Sequence, residues 1–323
     1  ALLSAFLLAT SFWHINFSRI GFRAIMAPFF VTWAIYFLLL ALNKIKELPV
    51  ELGSINRTRG KYILYSILGG IFLGLGLHSY IAYRAAPALI LIILFLYWLK
   101  NKDWQIRKKI LLSTFYFLLS TIIVVLPLMF YFLENPGSFF GRTTQVSIFN
   151  SPTPLQDLGM NIVKTAGMFN FTGDWNWRHN YAGRPELFWP IGILFLIGIF
   201  LGLKMFFEKV SRRLSGQGFA EGEERNRESS GERLAEAQDH VFREEYFQSF
   251  LILFSWFIIA ALPVVVSNEG LPHALRAIIM IPPVFILAGI GGIWLYEVLK
   301  KYVPPQHHRI IHYSLFIILL LLI

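Results

Sequence analysis

The sequence contains no cysteine, which excludes disulfides and thiolate chemistry and leaves the redox compartment open. Charge is scarce as well. Only 15% of the residues are charged, and they gather in short islands between apolar runs. No Walker-type loop cradles nucleotide phosphates, no His/Cys/Glu spacing makes a recognised metal site, and no GxSxG elbow occurs. No metal or cofactor is therefore expected from motifs. Ionisable residues are nearly missing from the interiors of the apolar runs, whereas ion-coupled transporters place them at mid-membrane.

What is present is apolar, with 56% hydrophobic and 16% aromatic residues. Stretches of about 20 apolar residues recur, the length a helix needs to cross about 30 Å of hydrocarbon. The expected fold is an all-α polytopic integral membrane protein. The net charge of +10 then carries no argument for nucleic acid, and the bilayer is the expected partner.

Seven runs look complete, at 22–42, 61–78, 86–99, 110–133, 187–207, 247–266 and 277–298. ALLSAFLLATSF at the start and SLFIILLLLI at the end add two truncated runs, so about nine spans are expected in an internal fragment of a longer protein. Within the third run, Pro87 to Leu99 is short for a crossing and is expected to borrow Ala85 and Ala86 or to lie tilted. The whole of 1–323 reads as one transmembrane domain. The glycine clusters GGIFLGLG (69–76) and AGIGG (288–292) read as sites of close helix packing.

Lysine and arginine set the orientation. One side of the expected topology keeps only Arg19, Arg23, Arg84, Arg142, Lys164, Arg178, Arg184 and Arg276, against 21 on the other, which is read as cytoplasmic. The 208–246 segment falls on the cytoplasmic side and reads as a charged linker, with helix-forming content in ERLAEAQDHVFREEY. The site is expected on the extracytoplasmic side.

On that side lies the longest connection, 134–187, aromatic, polar and punctuated by Gly and Pro. Within it PLQDLGMNIVKTAGMF reads as an amphipathic helix at the interface. The stretch GDWNWRHNYAGRPELFWP (173–190) is densest in polar and aromatic groups, and Trp175, Trp177 and Trp189 fit either a binding loop or an interfacial belt. Arg19 and Arg23 stand at i and i+4, where one helix face would carry them as snorkelling side chains or as a phosphate clamp. LPHALRAIIMIPP places His273 and Arg276 together, and LGLHSYIAYRAAPAL places His78 near Arg84. Cationic groups collected at one mouth of a bundle suit an anionic ligand arriving from the lipid.

INFSRIGFRAIMAPF, FFGRTTQVSIF, GDWNWRHN followed by GRPELFWPIGILFLIG, and HALRAIIMIPPVFILAGIGG together resemble bacterial members of glycosyltransferase family 39. This is the protein O-mannosyltransferase and aminoarabinose transferase group, with the GT-C fold. The resemblance covers most of the chain outside 208–246. It implies an inverting hexosyl or pentosyl transferase. A polyprenyl-phosphate sugar would be the donor, and a protein, lipid or glycan hydroxyl the acceptor. Arg19, Arg23, Arg84 and Arg276 become phosphate contacts, with His78, Arg142, Arg178, His179, Asn180 and His273 as further binding candidates.

Arginine can neutralise a departing phosphate, while the acceptor hydroxyl needs a base. In the family that base is a carboxylate of the first outer loop, which this likeness puts upstream of Ala1, so the fragment alone is expected to be inactive. The acid that family members often carry after the Ser-Arg pair is absent here, where Ser18 and Arg19 are followed by Arg23 and Ala24. Asp174 is the best remaining outer carboxylate, a weak candidate for the base that is expected to organise its loop through Arg178 at i+4 rather than to move a proton. The alternatives are a transporter or flippase for a lipid-linked or anionic solute, and a polytopic scaffold.

Overall fold

In hydrocarbon each backbone N–H and C=O needs a partner within its own segment, so long apolar runs become helices. A computed structural model describes residues 1–46, 55–214 and 230–302. The helices are α1 (Leu2–Ala9), α2 (Phe12–Ile20), α3 (Met26–Lys46), α4 (Ile55–Leu77), α5 (Ala86–Lys100) and α6 (Trp104–Glu134). They continue as α7 (Pro136–Gln145), α8 (Pro154–Gly167), α9 (Trp189–Leu214), α10 (Ser230–Val265) and α11 (Ile281–Lys301). Among the described residues there is no strand, only an isolated bridge between Ser147 and Ser267. Among the described residues seven helical segments are long and apolar enough to cross a bilayer, and the chain is an all-α membrane protein.

The seven segments fall on the seven complete runs of the sequence. The short 86–99 run gains its length from a 3-10 turn at Ile81–Ala85, which with α5 makes a segment of 20 residues. The first apolar run is not one helix: α1 holds eight residues, about 12 Å long, and extended Ser11 (φ −72°, ψ 128°) breaks it from α2. The run at 314–323 lies outside the described residues, as do 215–229 of the charged segment. The rest of that segment is helical, since α9 continues to Leu214 and α10 starts at Ser230.

The chain divides into two compact units, Ser11–Phe188 with Ser255–Pro282, and Ala1–Thr10 with Trp189–Phe254 and Pro283–Ile323. In the first, α3 buries Ala27, Val31, Ala34, Leu38, Ala41 and Ile45, a stripe of helical period. Its exposed Phe29, Trp33 and Tyr36 suit a lipid-facing side. The glycine clusters are packing devices, as their composition suggested. A Cβ on Gly70 would collide with the Phe117 carbonyl and Ser120 Oγ of α6, and Thr121 Oγ1 donates to the Gly70 carbonyl at 3.0 Å. In the second unit a Cβ on Gly291 would meet the Leu194 carbonyl of α9.

Helix α6 starts on an Asp103 cap, whose Oδ1 accepts from Gln105 N at 2.8 Å, and holds Pro127 near its far end. Proline donates no backbone hydrogen bond, which weakens the ladder there. His78 Nε2 donates to the Val124 carbonyl at 3.0 Å beside this break, which gives that expected binding residue a structural partner.

Candidate functional site

The site is built inside the first unit, where a loop of irregular backbone closes on itself between α8 and α9. Glu186 N and Leu187 N donate to the Met168 and Phe169 carbonyls, while Gly173 N donates to Arg184 O and Gly183 N to Asp174 O. Asn176 N donates to Asp174 Oδ1 at 2.8 Å and Arg178 N to Asn176 Oδ1 at 3.0 Å, two side-chain-capped turns in succession. Asn180 Nδ2 donates to the Arg184 carbonyl at 2.5 Å. A Cβ at Gly173 would strike the Arg184 carbonyl, Asn180 and Glu186 together, so only glycine lets the two limbs meet.

Asp174 is the hub of this loop. Its Oδ2 accepts from His179 Nδ1 at 2.9 Å and from the Ala274 backbone N–H at 2.9 Å, and His273 Nδ1 stands 3.7 Å from the same oxygen. The two imidazoles stack with centroids 4.9 Å apart and 29° between planes. Phe17 and Phe22 close on His179 at 5.7 and 5.9 Å. Helix α2 ties both partners down: Trp13 Nε1 donates to the Ala274 carbonyl at 3.3 Å, and Asn16 Nδ2 to the Arg178 and His179 carbonyls at 3.2 and 3.0 Å. Ile148 N donates to Val266 O and Asn268 N to Val146 O, so FFGRTTQVSIF is bound to the strand-like approach to His273.

Two neighbouring carboxyls are driven apart. Burial would raise Asp174, yet the hydrogen bond from His179, the backbone bonds from Asn176 and Ala274 and the charge of His273 outweigh it and hold the group below the ordinary aspartate range. Glu186, whose Oε1 accepts from Asp174 N at 2.9 Å, is pushed well above the ordinary range by burial, with the Asp174 charge adding and that hydrogen bond opposing. Its Oε2 has no hydrogen-bond partner among the described residues, an environment for a neutral acid.

Several expectations change. Asp174 pairs with His179, not with Arg178, because the chain from 174 to 180 is a pair of turns and the i,i+4 helical rule does not apply. Arg178 instead lies over the Phe22 ring at 5.4 Å. Arg19 and Arg23 do not share a helix face: α2 ends at Ile20, Gly21 turns left-handed (φ 73°), and Arg23 opens a 3-10 turn. Both remain exposed. Arg276 is held by Ser267 Oγ, by the Glu269 carbonyl at 2.9 Å and by the Glu269 carboxylate at 3.6 Å, so it pins its own loop. Arg84 donates to the Phe139 carbonyl at 2.9 Å and covers the Phe139 and Phe132 rings. Arg142 lies in α7, with its side chain outside the described residues.

The structure thus joins His179, Asn180 and His273 around Asp174, and sets Arg178 beside the turn bearing Arg23. The hydrogen bonds described for His78, Arg84 and Arg276 run instead to Val124, to Phe139, and to Ser267 and Glu269. Sequence reasoning missed Trp13, Asn16 and Glu186, whose roles come from partners as far as 261 residues away. It also missed a chemical capacity. Asp174, His179 and His273 offer one donor atom each within 4.8 Å, a set that suits a borderline ion such as Zn2+, although an ion there would replace the hydrogen bond from His179 Nδ1. Spacings of this kind, two residues close and one far away, escape any local motif.

Compared with known proteins, the chain matches no family model, no curated protein and no solved structure.

Proposed function

We propose that this chain is the membrane domain of a GT-C-type glycosyltransferase. In this reading it moves a sugar from a polyprenyl-phosphate donor to an acceptor hydroxyl on the extracytoplasmic face of the bacterial inner membrane. The observation that carries the reading is convergence: Asn16 of INFSRIGF donates to GDWNWRHN, Asp174 of GDWNWRHN accepts from Ala274 of HALRA, and Trp13, on the same helix as Asn16, donates back to the Ala274 carbonyl. Arg178 lies over Phe22, so the loop delivers a third guanidinium to the exposed turn that carries Arg19 and Arg23. Such a group beside a span fits a donor whose tail stays in hydrocarbon while its phosphate meets the aqueous edge.

Within the reading, Arg19, Arg23 and Arg178 contact the phosphate and neutralise its charge as the sugar leaves. In this reading Asp174, whose oxygens accept from Asn176 N, Ala274 N and His179 Nδ1, serves as a positioning residue rather than as the base. It positions the loop, and His179 and Asn180 hold that loop's shape. The test is transfer of radiolabelled sugar from polyprenyl phosphate by the complete protein in proteoliposomes. Arg19→Ala with Arg23→Ala should abolish transfer and weaken donor binding, while wild-type transfer by that double variant refutes the proposal. Movement of the donor across the bilayer with no glycosyl transfer would replace it with the flippase reading.

A further inference from the structure

Helix α8 is inside out for a helix in water. Asn161 and Thr165 are its buried residues, at 5% and 3% exposure, while Leu155, Ile162 and Val163 stand 85%, 51% and 67% exposed. Residues 155, 159, 162, 163 and 166 share one side of the helix, and there they are Leu, Gly, Ile, Val and Ala. The buried Asn161 fixes where that side sits. Its Nδ2 donates to the carbonyls of Val265 and Ser267 at 3.0 and 2.9 Å, at the end of the membrane-spanning part of α10. Along that end Ile258, Leu262 and Val266 form an exposed stripe at i, i+4 and i+8, so the lipid-facing surface of the span runs up to the level at which α8 is tied.

We propose that α8 is a membrane-surface anchor, lying in the plane of the bilayer with Leu155, Ile162 and Val163 in the headgroup and acyl boundary. The occupant of the face is the lipid leaflet, because the apolar surface continues from a span and the polar side is turned to the protein. Gln156 and Lys164, both exposed, lie away from the apolar face and are left to water. The start of the helix is fixed by Asp157, which accepts from Ser151 Oγ. At its far end α8 passes directly into Met168 and Phe169, whose carbonyls receive Glu186 N and Leu187 N. The anchor therefore sets the height of the Asp174 loop above the hydrocarbon, whatever reaction that loop serves.

A cysteine-free chain makes the test direct. Leu155→Cys, Ile162→Cys and Val163→Cys, each labelled with an NBD fluorophore in nanodiscs of phosphatidylcholine and phosphatidylglycerol, are compared with Lys102→Cys in the exposed α5–α6 connection. At the three α8 positions we expect blue-shifted emission, strong quenching by lipids carrying a doxyl group near the headgroup, and loss of the iodide quenching seen at position 102. Iodide quenching equal to that at position 102 would place α8 in water and overturn the proposal. Shielding from both quenchers would overturn it too, since protein would then cover the face. All three substituted side chains are exposed, so a folding defect at one leaves the other two to decide.

Discussion

Replacing Asp174 with alanine removes the acceptor of three hydrogen bonds of 2.8 to 2.9 Å. Asn176 is exposed and its N–H can turn to water, whereas Ala274 and His179 are buried. A buried donor left without an acceptor costs about 1–3 kcal/mol, so the two together cost about 2–6 kcal/mol. Removing a carboxylate also recovers the penalty of burying it, which favours the lower end of that range. About 2 kcal/mol corresponds to roughly a 30-fold rise in local opening. Hydrogen exchange followed by mass spectrometry on the protein in nanodiscs reads this at the amides of Gly173, Gly183 and Ala274. Amides of α6 between Ile110 and Phe117 should not change. Asp174→Asn keeps one acceptor oxygen and should show a smaller rise. Exchange of the three amides within about two-fold of wild type in Asp174→Ala would refute the assignment of Asp174 as the loop's hub, because openings on that scale are worth under about 0.5 kcal/mol.

Two further predictions concern pH and packing. Asp174 has a depressed value in the folded loop, so its contribution is present above the unfolded aspartate range and is lost as pH falls through the folded value. Glu186 is raised, so its contribution is present below the unfolded glutamate range and declines as pH climbs toward the folded value. Loop protection should therefore peak in mild acid, and Glu186→Gln should flatten the decline toward neutral pH while leaving the acid limb. An unchanged profile in that variant would count against a neutral Glu186. In α4, Gly70→Ala should destabilise by about 1–3 kcal/mol, since the new Cβ meets the Phe117 backbone carbonyl. Gly60→Ala, with open space around the position, should be neutral or gain up to about 1 kcal/mol, and thermal unfolding in detergent compares the two.

The class of this protein was legible from composition and periodicity, because the bilayer imposes a length and an apolar content on each span that one window of sequence can display. For the same reason the seven runs and the glycine clusters could be read locally. The site was legible only as ingredients. His179, Asn180, His273 and Asp174 could be named as polar groups in a long connection, yet nothing in their order says that His179 rather than Arg178 returns to Asp174. That choice is made by two Asx turns and by the N–H of Ala274, a hundred residues away. The arginines show the same limit from the other direction. A left-handed Gly21 separates Arg19 from Arg23, and Glu269 and Ser267 engage Arg276, so equal charges become unequal once their neighbours are in place. Sequence alone determined which segments leave water for lipid, since that depends on the residues' own transfer free energies. Which polar groups meet, and which carboxyl holds its proton more tightly, was decided by tertiary structure, because hydrogen bonds and burial depend on partners that only the fold brings within 3 Å.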